Sequence, residues 1–409
     1  MPVPVAAESV EQTSSSSVVE HLAQLDDPRE GPIYPVEEIM LLTVCAVICG
    51  ANTFVDVEQF GEVRLQWLRG LLPFEDGTPS DDTIGALLSR IDPEAFEHCF
   101  LGWTRRVAEQ TEGGEVVALD GKTLRGSYDN ASDKAALHMV EAWASEQELV
   151  LGQKRSEGGK NEIETIPKLL SLLHKLLSLL HVEGCIVTID AMGCQKKIAE
   201  AITDQDADYV LALKGNQEAL RADAERLFEE RLRCSYGGGD SRPTEPDCEQ
   251  VSAGHGRVEI RRCWATDVSG RGIVDEKGWA RLQSVAMIES ERFTAEPSAG
   301  GGSAEGQTQV KRHYVISSLE AADAEEILNA KRDHWRIENS LHWRMDVSFR
   351  EDESRVRTGH AAENFSTVRR FALGALRQEE SIDAGTKAKR LRAALDPDYL
   401  ERVLKHVGI

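Results

Sequence analysis

Two short apolar runs, Val116 to Leu119 and Cys185 to Ile189, each close on an aspartate, Asp120 and Asp190, and no other feature constrains the chain so tightly. Runs of about five residues rich in Val and Ile suit strands buried on both faces better than helices. A carboxylate at the exit of a buried strand costs free energy unless it is paired, hydrogen-bonded or bound to a cation. In open α/β sheets that exit is also where ligands bind. Together the two acids point to a shared metal site. Taken singly, each also suits an ordinary strand-exit turn, Asp-Gly in one case and Asp-Ala-Met-Gly in the other.

The periodicity changes along the chain. Helical patterns are predicted over 36–51, 54–72, 80–91 and 93–107, with Gly77-Thr78-Pro79 as a break. After Gly113-Gly114 further strands are predicted over 137–144, 149–153 and 209–213, with helices over 163–180 and 195–203. More strands follow over 257–265, 282–289 and 310–317 between loops near 237–247 and 296–306, then long helices over 322–349 and 361–376. Strands and helices in this order suit a mixed sheet with helices on its faces.

The organisation expected is a flexible lead (1–28, with the Ser14–Ser17 run) and a small all-helical N-terminal domain (29–110). An α/β core (111–218 and 319–378) follows, interrupted by a β-rich insertion (219–318), with a C-terminal helical tail (379–409).

With 41% hydrophobic and 29% charged residues in 409, the composition is that of a globular chain of two or three domains. The longest apolar run, 39–49 broken only by Thr43, falls short of the roughly 20 residues that span a bilayer. It lies too far in for a secretory signal and reads as a buried helix, so no membrane partner is expected. Eight cysteines without a C-x-x-C pair fit a reduced cytoplasm.

The net charge of −23 counts against duplex binding, which relies on Lys and Arg to displace phosphate counterions. The acid is unevenly spread, however. Residues 1–110 hold 19 acidic against 6 basic side chains, whereas residues 331–409 hold 13 against 16.

Further along, His334-Trp-Arg-Ile-Glu338-Asn-Ser-Leu-His342-Trp343 would place His334, Glu338 and His342 in one stripe of a helix. The stripe lacks the H-E-x-x-H spacing of zinc hydrolases, and a plain polar stripe is the rival reading. Lys168-Leu-Leu-Ser-Leu-Leu-His174 repeats exactly once, as 175–181, which lengthens a helix by roughly 10 Å with little rotation of its apolar face.

Four stretches now come together: Leu119-Asp120-Gly-Lys-Thr-Leu-Arg-Gly-Ser127, Thr188-Ile-Asp190-Ala-Met-Gly-Cys-Gln195, Tyr209-Val-Leu-Ala-Leu-Lys-Gly-Asn-Gln217 and His334 to Trp343. In order and wording they resemble the DDE transposases of bacterial insertion sequences, specifically the H-repeat-associated subgroup. The resemblance runs from about Asp27, with Asp27-Pro-Arg29, to Leu376 and includes Gly254-His-Gly-Arg257. It implies a ribonuclease-H-like core, with Asp120 on the first strand, Asp190 after the fourth and Glu338 on a late helix, as catalytic and metal-binding residues. It also implies Mg²⁺, with Mn²⁺ as an alternative, and double-stranded DNA as partner, with a homodimer expected to pair two ends. Related transposases carry a basic residue seven positions after the glutamate; here that position is Met345, with Arg336 or Arg344 as substitutes.

Other residues are candidates for contact with DNA. Lys122 and Arg125 follow Asp120 closely enough to meet a phosphate, though both could equally be solvated. Lys214 and Asn216 sit where a strand enters a helix, so free N–H groups there could hold a phosphate, or Asn216 could simply cap the helix. Strand alternation puts Arg257 and Arg261 on one face with Glu259, suited either to a DNA backbone or to solvent. Trp335 and Trp343 could stack on an unpaired base or belong to the core. The function expected is a transposase that cleaves and joins DNA; the alternative is a catalytically impaired DNA-binding or regulatory derivative.

Overall fold

The computed structural model describes residues 18–108, 114–128, 136–155, 184–234, 245–254, 257–273, 278–294 and 307–409. The serine run, the tandem repeat, the helix predicted over 163–180 and His255-Gly256 lie outside the described residues. The chain divides into two units, Met1–Trp103 with Thr358–Ile409, and Thr104–Arg357.

The second unit is built on a nine-stranded sheet. Its first five strands are β1 (Val116–Leu124), β2 (Leu137–Ala144), β3 (Leu149–Arg155), β4 (Ile186–Ile189) and β5 (Asp208–Leu213). Strand β2 lies antiparallel between β1 and β3, while β1, β4 and β5 run parallel. The order β3-β2-β1-β4-β5 is that of a ribonuclease-H-like core. The short strand β4 is buried throughout and β5 nearly so, as continuous apolar runs in a doubly covered sheet should be.

The region predicted to be an insertion extends this same sheet. Strands β6 (Cys248–Gly254), β7 (Arg257–Asp267), β8 (Ser284–Thr294) and β9 (Gln307–Ser317) continue it antiparallel, with β9 paired to β5. Its first part is helix, α7 (Glu218–Cys234), ahead of β6, while α6 (Lys196–Thr203) lies in the core between β4 and β5. Strand β6, which the sequence pattern does not mark, is mostly exposed and therefore lacks an apolar alternation.

Helix α8 (Ala324–Arg336) crosses one face of the sheet. Its Ala324, Ile327, Leu328 and Ala330 pack against Val116, Ile186, Val210 and the inner residues of β7 to β9, joining both halves of the sheet in one core. The helix predicted over 322–349 is interrupted. A π-helical turn spans Ile337–His342, and α9 (Trp343–Ser348) follows.

The first unit is helical: α1 (Val18–Leu22), α2 (Val36–Ile48), α3 (Phe54–Leu68), α4 (Asp81–Arg90), α5 (Pro93–Ala108) as far as Trp103, α10 (Ala361–Gln378), α11 (Thr386–Leu395) and α12 (Pro397–His406). Helix α2 is apolar all round from Ile39 to Ile48 apart from Thr43, and is buried over that length. No helix among the described residues is long and apolar enough to cross a membrane.

Two boundaries differ from those the sequence predicts. Residues 358–378, expected in the catalytic core, and 379–409, expected as a separate tail, belong with the N-terminal helices. Periodicity marks α10 as a helix with a buried face but not its partners, which are α2 and α4. Asn364 donates to the carbonyls of Leu88 and Ile91, and Arg390 to those of Val47 and Ala51, satisfying the ends of α4 and α2. At the other boundary, Val18 and Leu22 of the expected lead form a helical turn and are buried.

Candidate metal centre and flanking basic cavity

Strands β1 and β4 pair in parallel as far as Leu119 and Ile189. The next residues, Asp120 and Asp190, therefore sit one step beyond the last pair on neighbouring strands, which run about 4.8 Å apart. Asp190 ends its strand and leads into a tight turn over Ala191–Gly193. Asp120 does not end one. Strand β1 continues to Leu124 because Gly121 to Leu124 keep antiparallel partners in β2, and Asp120 faces Glu141 across that ladder.

The third acid arrives on the π-helical turn, where the Trp343 N–H donates to the Glu338 carbonyl five residues back. Such bulges recur at functional sites because the extra residue re-aims side chains. Glu338 projects with its side chain 66% exposed, while His342 is buried. His342 Nδ1 lies 3.6 Å from Asp120 Oδ2 and 3.6 Å from Glu338 Oε2, and Nε2 lies 3.2 Å from Glu141 Oε2.

Asp120, Asp190 and Glu338 line one cavity of about 150 Å³, together with Lys214, Lys331 and His334. Lys214 Nζ contacts both Asp190 oxygens at 3.1 and 3.2 Å. Burial pushes the Asp190 carboxyl up, but the Lys214 contact outweighs this and holds it below its usual value. The His342 contact lowers Glu338. Burial lowers the Lys331 ammonium. His334 is pushed down to about 3 by burial and by Lys331, so it stays neutral, with Nδ1 3.1 Å from Thr188 Oγ1. Burial opposes charge on His342, but the hydrogen bonds to Glu141 and Glu338 and the nearby charges of Glu141 and Asp120 raise it to about 9.

Of the residues expected to meet DNA, several are engaged elsewhere. Lys122, expected in a loop, is a strand residue on the same side as Asp120; it is buried, 2.7 Å from Asp346 Oδ1 and 3.4 Å from the His342 carbonyl. Arg344 pairs with Glu148 at 2.6 Å. Asn216 donates to the Ala191 carbonyl and Gln217 to that of Cys194, which pins the loop after β5 to the turn after Asp190. Arg125 is 81% exposed on its turn, 3.5 Å from Asp352. Trp335 and Trp343 are exposed rather than core residues. Met345, seven residues after Glu338, is fully buried, while Lys331, seven residues before it, brings an ammonium to the cavity.

A second cavity of about 210 Å³ adjoins the first, sharing His313, Lys331 and Trp335 with it. Its lining carries Arg257, Arg261, Arg292, Lys331, Arg332 and Arg336 against the single acid Glu259. Burial lowers Arg261, and the like charges of Arg332, Arg292 and Arg257 lower it further against the pull of Glu259. Of the residues lining it, the sequence pattern singles out Arg257, Arg261, Trp335 and Arg336 but not Lys331, Arg332 and Arg292. It also passes over Glu141, whose signal is a carboxylate set inside the apolar run 137–144.

Residues 111–373 match the family model described as "Transposase DDE domain", and residues 19–104 match one described as "DDE_Tnp_1-associated". "Putative transposase YncI" of Escherichia coli O157:H7 is 42% identical over 393 residues, covering 96% of this chain and 95% of that protein. "H repeat-associated putative transposase YhhI" of Escherichia coli K12 is 37% identical over 396 residues, covering 96% and 98% respectively. Among solved structures, the synaptic complex of piggyBac transposase with hairpin DNA aligns over 94% of this chain and 78% of that one. At 10% identity and a TM-score of 0.40 it adds nothing to the fold assignment.

Proposed function

This chain belongs to the transposases with a DDE domain, in the H-repeat-associated group, and from that premise we propose that it binds the ends of a mobile DNA element and catalyses metal-dependent cleavage and strand transfer. The observation that carries the reading is that Asp120, Asp190 and Glu338, from three separate elements, line one cavity.

The donor set there fits a hard divalent cation, Mg²⁺ or Mn²⁺, because carboxylate oxygens dominate it. When bound, such cations neutralise charge on the phosphoryl oxygens and lower the pKa of an attacking water or 3′-hydroxyl. Asp120, Asp190 and Glu338 would hold them. Lys214 keeps Asp190 ionised, and the neutral His334 anchors the helix to β4 through Thr188 without adding charge.

The DNA strand has a path out of this cavity. Arg257, Arg261, Arg292, Arg332 and Arg336 lie along the adjoining cavity, where a phosphodiester backbone would offset the like charges that Arg257, Arg292 and Arg332 set around Arg261. Trp335, shared by both cavities and exposed, offers a ring face to an unpaired base beside the scissile bond. Local basicity of this kind answers the chain-wide charge of −23, since a phosphate feels charges mainly within a Debye length of about 8 to 10 Å. Two copies, one per element end, would complete the active assembly.

The test is nicking of a labelled duplex carrying the element's own terminal sequence, with Mg²⁺, alongside binding measured by anisotropy across a salt series. Asp120→Asn, Asp190→Asn and Glu338→Gln should each lower nicking by orders of magnitude and leave salt-sensitive binding in place. Undiminished nicking by any of these variants would end the assignment. Binding without nicking by the wild type would favour the impaired derivative.

A further inference from the structure

We propose that His342 is itself a ligand of the divalent cation, completing with Asp120 and Glu338 a three-donor site that forms without Asp190. The inference rests on the reading above that these acids hold metal.

Three features converge on it. One donor atom from each of Asp120, Glu338 and His342 lies within 4.8 Å of the others, and the two separations from His342 Nδ1 are 3.6 Å. Donors that share one cation at about 2.0 to 2.3 Å sit about 3 to 4 Å apart, so this spacing needs little adjustment.

The second feature is orientation. Glu141 has no exposed surface and occupies Nε2, which leaves Nδ1 directed at Asp120 and Glu338. A buried carboxylate on the far nitrogen is the arrangement that fixes ring orientation and raises basicity in metal-binding histidines. The other histidine of the helix, His334, has its Nδ1 directed at Thr188 instead.

The third is the position of Asp190, which is drawn to Lys214 and stands outside the three-donor group. One cation site is thus organised by the π-helical turn and β1 alone, and Asp190 contributes to a second. A nitrogen donor also moves the preference of the first site away from Mg²⁺, which favours oxygen, towards Mn²⁺.

Pulsed electron paramagnetic resonance of Mn²⁺ bound to the full-length chain tests this directly, because a coordinated imidazole nitrogen modulates the electron spin echo. The wild type should bind Mn²⁺ with ¹⁴N modulation, and Asp190→Asn should retain both. His342→Asn should lose the modulation, with Mn²⁺ affinity falling at least about tenfold and Mg²⁺ affinity falling less; His342→Gln is the second variant should the first not fold. Bound Mn²⁺ without nitrogen modulation in the wild type, or modulation that survives loss of His342, overturns the proposal and leaves the carboxylate reading intact. Failure to bind Mn²⁺ at all removes both.

Discussion

Replacing Glu141 with alanine should destabilise the cation-free chain more than any change to the three acids of the cavity. Glu141 has no exposed surface and lies 3.2 Å from the ring of the buried His342. The His342 pKa is raised from 6.5 to about 9 against the effect of burial, so its charged form stabilises the fold. That stabilisation is fully present below pH 6.5 and is lost as pH rises through about 9. The interval is worth on the order of 3 kcal/mol at about 1.4 kcal/mol per pH unit. Removing one partner of a buried pair costs about 3 to 5 kcal/mol, so Glu141→Ala should lower Tm at pH 7 by about 6 to 20 °C, at about 2 to 4 °C per kcal/mol. Thermal melts followed by tryptophan fluorescence in chelator at pH 7, 8 and 10 provide the measurement. The gap between wild type and variant should shrink at pH 10, where the wild-type imidazole has also lost its proton. Equal Tm values at pH 7, or a gap that ignores pH, would refute the pairing argument.

Three further outcomes follow from the packing. Lys122→Met should cost about 1 to 3 kcal/mol in urea unfolding, because Asp346 and the His342 carbonyl lose a buried donor, and should leave DNA affinity unchanged, whereas Arg257→Ala with Arg261→Ala should weaken it. Gly126→Ala should destabilise by 2 kcal/mol or more, at about the level of an overpacked core, since an added Cβ would lie 2.0 Å from the Ser354 carbonyl oxygen; unchanged stability would show that the turn can move aside. Arg390→Met should lower stability by about 1 to 3 kcal/mol by removing the guanidinium donor to the Ala51 carbonyl and one of the donors to the Val47 carbonyl, and calorimetry should place that loss in the helical unit.

Much of the site is written locally. An apolar run of strand length that stops at an acid can be read without knowing its neighbours, which is why Asp120 and Asp190 stand out. The spacing of Glu338 and His342 likewise follows from helical periodicity. Strands β1 to β5 and the N-terminal helices are legible for the same reason, because burial on one or both faces leaves a period in the sequence. Where burial is weak, as in β6, the period disappears and so does the prediction.

Partner choice has no such period. Nothing in residues 361–378 says that they pack on α2 and α4 rather than on the sheet, and nothing in 248–317 says that those strands lengthen the core sheet. The continuation of β1 carries Lys122 beneath the π-helical turn, against Asp346 and the His342 carbonyl, which no local pattern announces. The turn itself, which aims Glu338 and His342 at Asp120, is a local change in hydrogen bonding that composition does not announce. The acids and their chemistry were thus determined residue by residue along the chain. Their meeting, and the pairing of Glu141 with His342, depend on contacts between residues far apart in sequence, which only the packed tertiary structure decides.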